Sequence, residues 1–318
     1  MIPSILETIE RNHSFLVTTH ENPDGDAIGS SLGLARFLRN AGKEVIIHFK
    51  DPVPELYRFL PLAEEVLNTV PDRPYDVCFV LDVGEFRRAG AAITSCRTIG
   101  TFINIDHHIT RDLFGAINYI DSAAAATGVL IYRIIKESGQ TLDYNTAICL
   151  YTAILTDTGS YRYSNANQEA FTISGELVSL GINAWYVSEH LYESQPANRL
   201  KLLNEALSTL VISPRGDVAS VTVTLDMYER TGATAELTDG FVNYPRSIRG
   251  VEVAIFFREI NPGLFKVGFR SKGKVNVAAL AELFGGGGHH NAAGGNIEGT
   301  IDEVRKSVLS RVYEALAT

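Results

Sequence analysis

The chain has only three cysteines, no apolar run long enough to span a bilayer and no surplus of positive charge. Cys78, Cys96 and Cys149 show no paired spacing, which excludes a disulfide framework and a thiolate zinc site. Cys78 and Cys149 fall in apolar runs and read as core. The missing apolar stretch excludes a spanning helix, and residues 1–11 carry two glutamates but no basic leader or cleavage site. A cytoplasmic protein with no membrane partner is therefore expected. A formal net charge of −9 argues against a protein that coats long nucleic acid without preference.

What is present is ordinary in bulk and uneven in detail. With 318 residues, 45% hydrophobic and 20% charged, the chain is large enough for two folded domains. Across residues 246–290, seven Lys or Arg stand against three acids, leaving the remainder strongly acidic. Such a segment is a solvated face or, beside an anion-handling site, a phosphate-binding one.

Hydrophobic periodicity divides the chain. Short apolar runs at 15–19, 44–49, 76–81 and 101–105 have strand length and are separated by helical segments such as 27–41, which stops before Gly42. Helical patterns follow at 123–136, 145–155 and 168–180. This alternation predicts an α/β fold, an N-terminal parallel sheet with helices on both faces. Residues 194–198 (Ser-Gln-Pro-Ala-Asn) make a break and a connecting helix is expected at 199–210. Beyond it, β-rich runs at 218–225, 251–259 and 264–270 with helices at 277–284 and 301–317 predict a smaller C-terminal α/β domain. The expected division is 1–193, a linker helix 194–210, and 211–318, with a ligand cleft between the two domains.

The chemistry concentrates where apolar runs stop. Asp106-His107-His108 follows the fourth strand, His20, Asp24 and Asp26 follow the first in a loop bent by Pro23 and Gly25, and Asp82 ends the third. Asp157 ends an apolar helical run, where an unpaired charge is costly. Singly, each has a plain explanation: Asp26 as a helix cap, Asp82 as a turn cap, paired histidines as surface residues. Together, five carboxylates and three imidazoles aimed at one rim would repel without cations. Two divalent metals among them resolve the repulsion, and mixed His and carboxylate donors suit manganese better than structural zinc. Such a pair activates water and clamps a phosphoryl oxygen, so phosphoester hydrolysis is the expected reaction class.

These segments together resemble the DHH phosphoesterase superfamily, named for the triplet at Asp106-His107-His108. The resemblance extends to a DHHA1 domain at residues 269–271 (Phe-Arg-Ser) and 284–295, where four glycines precede His289. The two-domain length is most similar to the nanoRNase type, bifunctional oligoribonucleases that also act on adenosine 3′,5′-bisphosphate (PAP). The resemblance implies one metal held by His20, Asp24 and Asp82, and a second by Asp26, Asp82, His107 and Asp157, with Asp82 bridging beside the activated water. It implies that His108 contacts the scissile phosphate or assists the leaving oxygen, and that Asp106 orients the histidines. Arg270, Ser271, Gly286, Gly287, Gly288 and His289 become candidate substrate-binding residues, with free backbone amides in the glycine run. The implied ligands are two divalent ions, most simply Mn2+, and the implied partners are short single-stranded RNA or dinucleotides and PAP. A homodimer is the assembly to test. A cyclic- or linear-dinucleotide phosphodiesterase is the nearest rival, and a non-catalytic RNA-binding protein a more distant one.

Overall fold

A computed structural model describes residues 1–108 and 112–317, with the His289 side chain outside that description. It divides into two compact units, Met1–Ser194 and Gln195–Thr318. Among the described residues no helix is long and apolar enough to cross a membrane.

The first unit is built on five parallel strands, β1 (Ser14–Thr19), β2 (Glu44–His48), β3 (Tyr75–Leu81), β4 (Ile99–Asp106) and β5 (Ile117–Ile120), in the order β2-β1-β3-β4-β5. Strand β5 is too short and too polar to stand out in the sequence, and it forms because residues 117–120 pair in register with 103–106 of β4. The central strands are covered on both sides, so β1 and β3 are buried at every position except Ser14 and Asp76 and read as continuous apolar runs. Alternate residues serve opposite faces: Phe15, Val17, Val77 and Phe79 join the large core, while Leu16, Cys78 and Val80 join a smaller one.

Helices α1 (Ile2–Arg11), α2 (Gly25–Asn40), α4 (Thr127–Glu137) and α5 (Tyr144–Asp157) supply the large core, joined by α6 (Gln168–Ser179) and by α7 (Ala184–Ser188). The other face is covered more thinly, by α3 (Ala91–Thr94), the 3-10 turn Phe86–Ala89 and the stacked rings of Phe86 and Phe114. The strand order reverses between β1 and β3. In open parallel sheets that crevice, at the carboxyl ends, is where ligands sit, because the chains leaving the two strands diverge to opposite faces.

The second unit is a mixed sheet ordered β10-β11-β9-β8-β7-β6. Its strands are β6 (Val211–Ile212), β7 (Val218–Val223), β8 (Val253–Asn261), β9 (Leu264–Ser271), β10 (Gly287–His289) and β11 (Ala292–Glu298). One core gathers Val253, Ile255, Phe265, Val267 and Phe269 with α11 (Val277–Glu282) and α12 (Ile301–Ala317). Helix α12 contributes Val304, Val308 and Val312, a four-residue spacing that lines one helical face. Helix α8 (Ala197–Ser208) covers the corresponding region expected to be a connector. It is an integral helix of this unit instead, because Leu202 and Ala206 are buried with Val223, Met227 and Phe241. The short helices α9 (Leu225–Thr231) and α10 (Asn243–Ser247) complete the unit.

Candidate metal centre

The loop from β1 into α2 places three candidate ligands. Asp24, not Asp26, caps the helix: its Oδ1 accepts from the Ala27 amide at 3.0 Å. Asp26 lies in the first turn, buried, and its two oxygens accept from the Thr127 amide at 2.6 Å and the Gly128 amide at 2.9 Å. Those donors are the free amides at the start of α4, whose positive end suits a carboxylate. The helix begins at Thr127 rather than at the alanines before it. That turn has its own task, since the Ala124 carbonyl meets His107 Nδ1 at 3.2 Å and the Ala125 carbonyl accepts from Asn165 at 2.9 Å.

Asp82 leaves β3 in a left-handed conformation, φ 58, which costs a non-glycine residue roughly 1–3 kcal/mol. The turn exposes its two carboxylate oxygens to different histidines. Oδ2 stands 3.8 Å from His20 Nε2, while Oδ1 stands 3.6 Å from His107 Nε2 and accepts from the Thr127 hydroxyl at 2.8 Å. Asp24 Oδ1 is 3.9 Å from the same His20 nitrogen, and its side chain is 61% exposed, so this end of the centre opens to water. On the other side, His107 Nε2 lies 3.8 Å from Asp26 Oδ2 and 3.7 Å from Asp157 Oδ2.

The outer contacts orient the histidines. His20 Nδ1 meets the Glu21 carbonyl at 2.8 Å and His107 Nδ1 meets that of Ala124; a carbonyl only accepts, so each Nδ1 donates outward and each Nε2 is turned inward. His108 is arranged differently. Its Nδ1 is 2.6 Å from Asp106 Oδ1, and Asp106 is itself fixed by the His108 amide and, through Oδ2, by the Gly84 amide at 2.7 Å. Burial opposes charge on His108, but the hydrogen bonds to Asp106 and Asp82 outweigh it and hold its pKa well above the usual imidazole value. Thus one imidazole of the pair turns its Nε2 toward three carboxylates and the other is held as a proton carrier.

Close helix packing brings Asp26 and Asp157 together. Gly25 and Gly29 of α2 face α5 so tightly that a Cβ on Gly29 would lie 2.4 Å from the Cys149 carbonyl oxygen, and one on Gly25 2.3 Å from Thr156 Oγ1. The four-residue spacing of Gly25, Gly29 and Gly33 was the available sequence signal for this approach. Asp157, the last residue of α5, is then oriented by Asn165, whose Nδ2 donates to its Oδ2 at 3.0 Å.

Electrostatics asks for cations here. Burial first, then the charges of Asp82, Asp157 and Asp24, push Asp26 well above the carboxylate range. Burial likewise raises Asp157, to about 7, against the opposing pull of His107. For Asp82 burial is outweighed by His108, His107 and His20, which hold its pKa low. The separations of 3.6–3.9 Å around each inward Nε2 are too long for hydrogen bonds. They suit donors around a shared ion, since ligands each about 2.1 Å from one metal stand roughly 3–4 Å apart. Among the described residues three such groups overlap: His20 with Asp24 and Asp82, Asp26 with His107 and Asp157, and Asp82 with His107 and His108.

The expected phosphate-binding residues lie in the second unit. Arg270, half-buried, donates from Nη1 to the Phe269 carbonyl at 3.0 Å. Ser271 is buried and its hydroxyl lies 3.1 Å from Asn291 Oδ1, bracing that side chain instead of facing solvent. The glycine run forms a hairpin: Gly287 and Gly288 in β10 pair with Gly294 and Ala293 of β11. The expectation of free amides fails at Gly286, whose N–H donates to the Ala281 carbonyl at 2.9 Å. Gly286 is glycine for a packing reason, because a Cβ there would meet the Gly294 carbonyl oxygen at 2.2 Å. The His289 side chain lies outside the described residues.

Comparison with known proteins agrees across both units. Residues 14–154 match the DHH family, N-terminal domain, and residues 218–318 match the DHHA1 domain. The bifunctional oligoribonuclease and PAP phosphatase NrnA of Thermus thermophilus is 35% identical over 99% of this chain and 94% of its own length. The protein of that name from Bacillus subtilis is 29% identical over 93% of each chain. The crystal structure of an exopolyphosphatase-related protein from Bacteroides fragilis superposes with a TM-score of 0.90 at 30% identity, covering 99% of this chain and 95% of that one. Matched by family models in both units, and 35% identical to a relative over 99% of its own length, the chain belongs to the DHH family of phosphoesterases.

Proposed function

We propose that the protein hydrolyses very short oligoribonucleotides to mononucleotides and converts adenosine 3′,5′-bisphosphate to AMP, using two divalent ions, most simply Mn2+. The observation that carries this reading is Asp82, whose two oxygens face His20 on one side and His107 on the other. When bound, two such ions lower the pKa of a shared water and neutralise charge on the reacting phosphoryl group. His20, Asp24 and Asp82 would hold one, and Asp26, Asp82, His107 and Asp157 the other. His108, charged and fixed by Asp106, would donate to a non-bridging phosphate oxygen or protonate the leaving oxygen. The full-length likeness to proteins named oligoribonuclease and PAP phosphatase supports the substrate class.

Arg270, with Gly287, Gly288 and His289, would bind a substrate phosphate in the second unit, Ser271 and Gly286 serving to shape the hairpin. The division into catalytic residues 1–193 and substrate-binding residues 211–318 belongs to the same proposal. Three free cysteines accord with a reducing, cytoplasmic setting. Product analysis tests the activity: a labelled series of RNAs of two to about five nucleotides, with PAP alongside, is expected to yield mononucleotides and AMP only when manganese is present. Hydrolysis of cyclic dinucleotides in preference to both would replace this reading with the rival phosphodiesterase.

A further inference from the structure

We propose that Arg88 is a substrate-binding residue of this site, its guanidinium taking an oxygen of the reacting phosphate beside His108; the proposal rests on the phosphoesterase reading above. Gly84 has no side chain, and the place where its Cβ would begin is bordered by His108 Cδ2 at 3.4 Å and Arg88 Nη1 at 3.7 Å. The guanidinium and the imidazole therefore line one small space at the carboxyl end of β3. The 3-10 turn Phe86–Ala89 that carries Arg88 is tied to the loop of His20, since the Glu21 amide donates to the Arg88 carbonyl at 2.8 Å.

Arg88 is oriented but not neutralised. Nη1 donates to the Val83 carbonyl at 3.0 Å, and among the described residues no carboxylate pairs with it. Its neighbours behave otherwise: Arg87 pairs with Glu85 at 2.5 Å, and Lys50 with Glu21. In a rim holding five carboxylates, a half-buried cation that avoids all of them keeps its remaining N–H donors for something else. An arginine fork matches two oxygens of a phosphate, and a single carbonyl contact leaves most of that fork available. A phosphate resting on the proposed metals would meet His108 and Arg88 together, which adds a fixed positive charge that neither ion nor imidazole supplies.

The test uses the full-length chain loaded with Mn2+ and adenosine 5′-monophosphate as the probe, titrated by calorimetry into the parent, Arg88→Ala and Arg88→Gln. Loss of a charge-assisted contact should weaken AMP binding by about 10- to 100-fold in both variants. Manganese stoichiometry and melting temperature should match the parent, and glutamine guards against a defect caused only by losing the Val83 contact. AMP affinity within twofold of the parent in either folded variant overturns the proposal, as does a parent that does not bind AMP, or a loss of AMP binding that appears only with a loss of manganese. Should the parent cleave neither short RNA nor PAP while the variants still lose AMP, the activity reading fails and Arg88 stands as an anion-binding residue.

Discussion

The rim of the parallel sheet and the glycine hairpin of the second unit are organised by opposite means. At the rim, buried charged groups fix one another through hydrogen bonds from helix α4, from Asn165 and between Asp106 and His108, and their backbone includes a left-handed aspartate. In the hairpin the backbone itself is the structure, with glycines packed so closely that no side chain fits at Gly286. On the proposed reading the difference divides the work: substitutions of the rim's candidate metal ligands should disturb metal binding and turnover, and second-unit substitutions should disturb affinity for substrate alone.

The sharpest break is Asp82→Ala. Removing the carboxylate that faces both histidine groups should lower manganese-dependent cleavage of a dinucleotide by on the order of a thousandfold or more, because on the proposed reading both ions would lose a ligand. Arg270→Ala should act on the other side of the comparison, raising KM by about 10- to 100-fold through loss of a charge-assisted contact while manganese binding stays at the parental value. If steady-state kinetics instead show kcat falling and KM unchanged, recognition and chemistry are not divided as described.

Gly29→Ala probes the scaffold. A methyl group 2.4 Å from the Cys149 carbonyl must separate α2 from α5, so unfolding by denaturant should register a loss of about 1–3 kcal/mol. Because those helices carry Asp26 and Asp157, manganese affinity should fall with it. The smallest effect is a pH dependence. Asp26 and Asp157 have raised pKa values in the folded, metal-free chain, so their contribution to stability is full below about pH 4 and is lost as pH rises through the folded pKa, which for Asp157 is about 7. In EDTA these two groups should therefore make the protein melt lower at pH 8 than at pH 5. With manganese the trend should invert, and binding near pH 6 should release protons, measured by calorimetry in buffers of different ionisation enthalpy.

Much of the rim was legible because buried parallel strands announce themselves as apolar runs and their ends mark where polar groups converge. Thus β1, β3 and β4 carried His20, Asp82 and Asp106-His107-His108 at or just past their ends. What sequence could not show was which partner each group chooses. Asp24 takes the capping role assigned to Asp26, and the alanines before Thr127 form a turn whose carbonyls hold His107 and Asn165. The Asp24 cap is a local contact with Ala27, but the partners of His107, Asn165 and Asp26 lie 17, 40 and 101 residues away in sequence, and periodicity carries no information about them. The glycine hairpin does not stand out in the sequence for a related reason. Glycine disfavours strands intrinsically, and β11 exists because it pairs along its whole length with β9.

Crystals soaked in manganese and measured at its absorption edge test the central claim most directly. The account predicts two anomalous peaks roughly 3.5–4 Å apart, one beside His20 and Asp24, the other beside Asp26, His107 and Asp157, with Asp82 between them. A single peak remote from Asp82, or none within reach of these side chains, would contradict it.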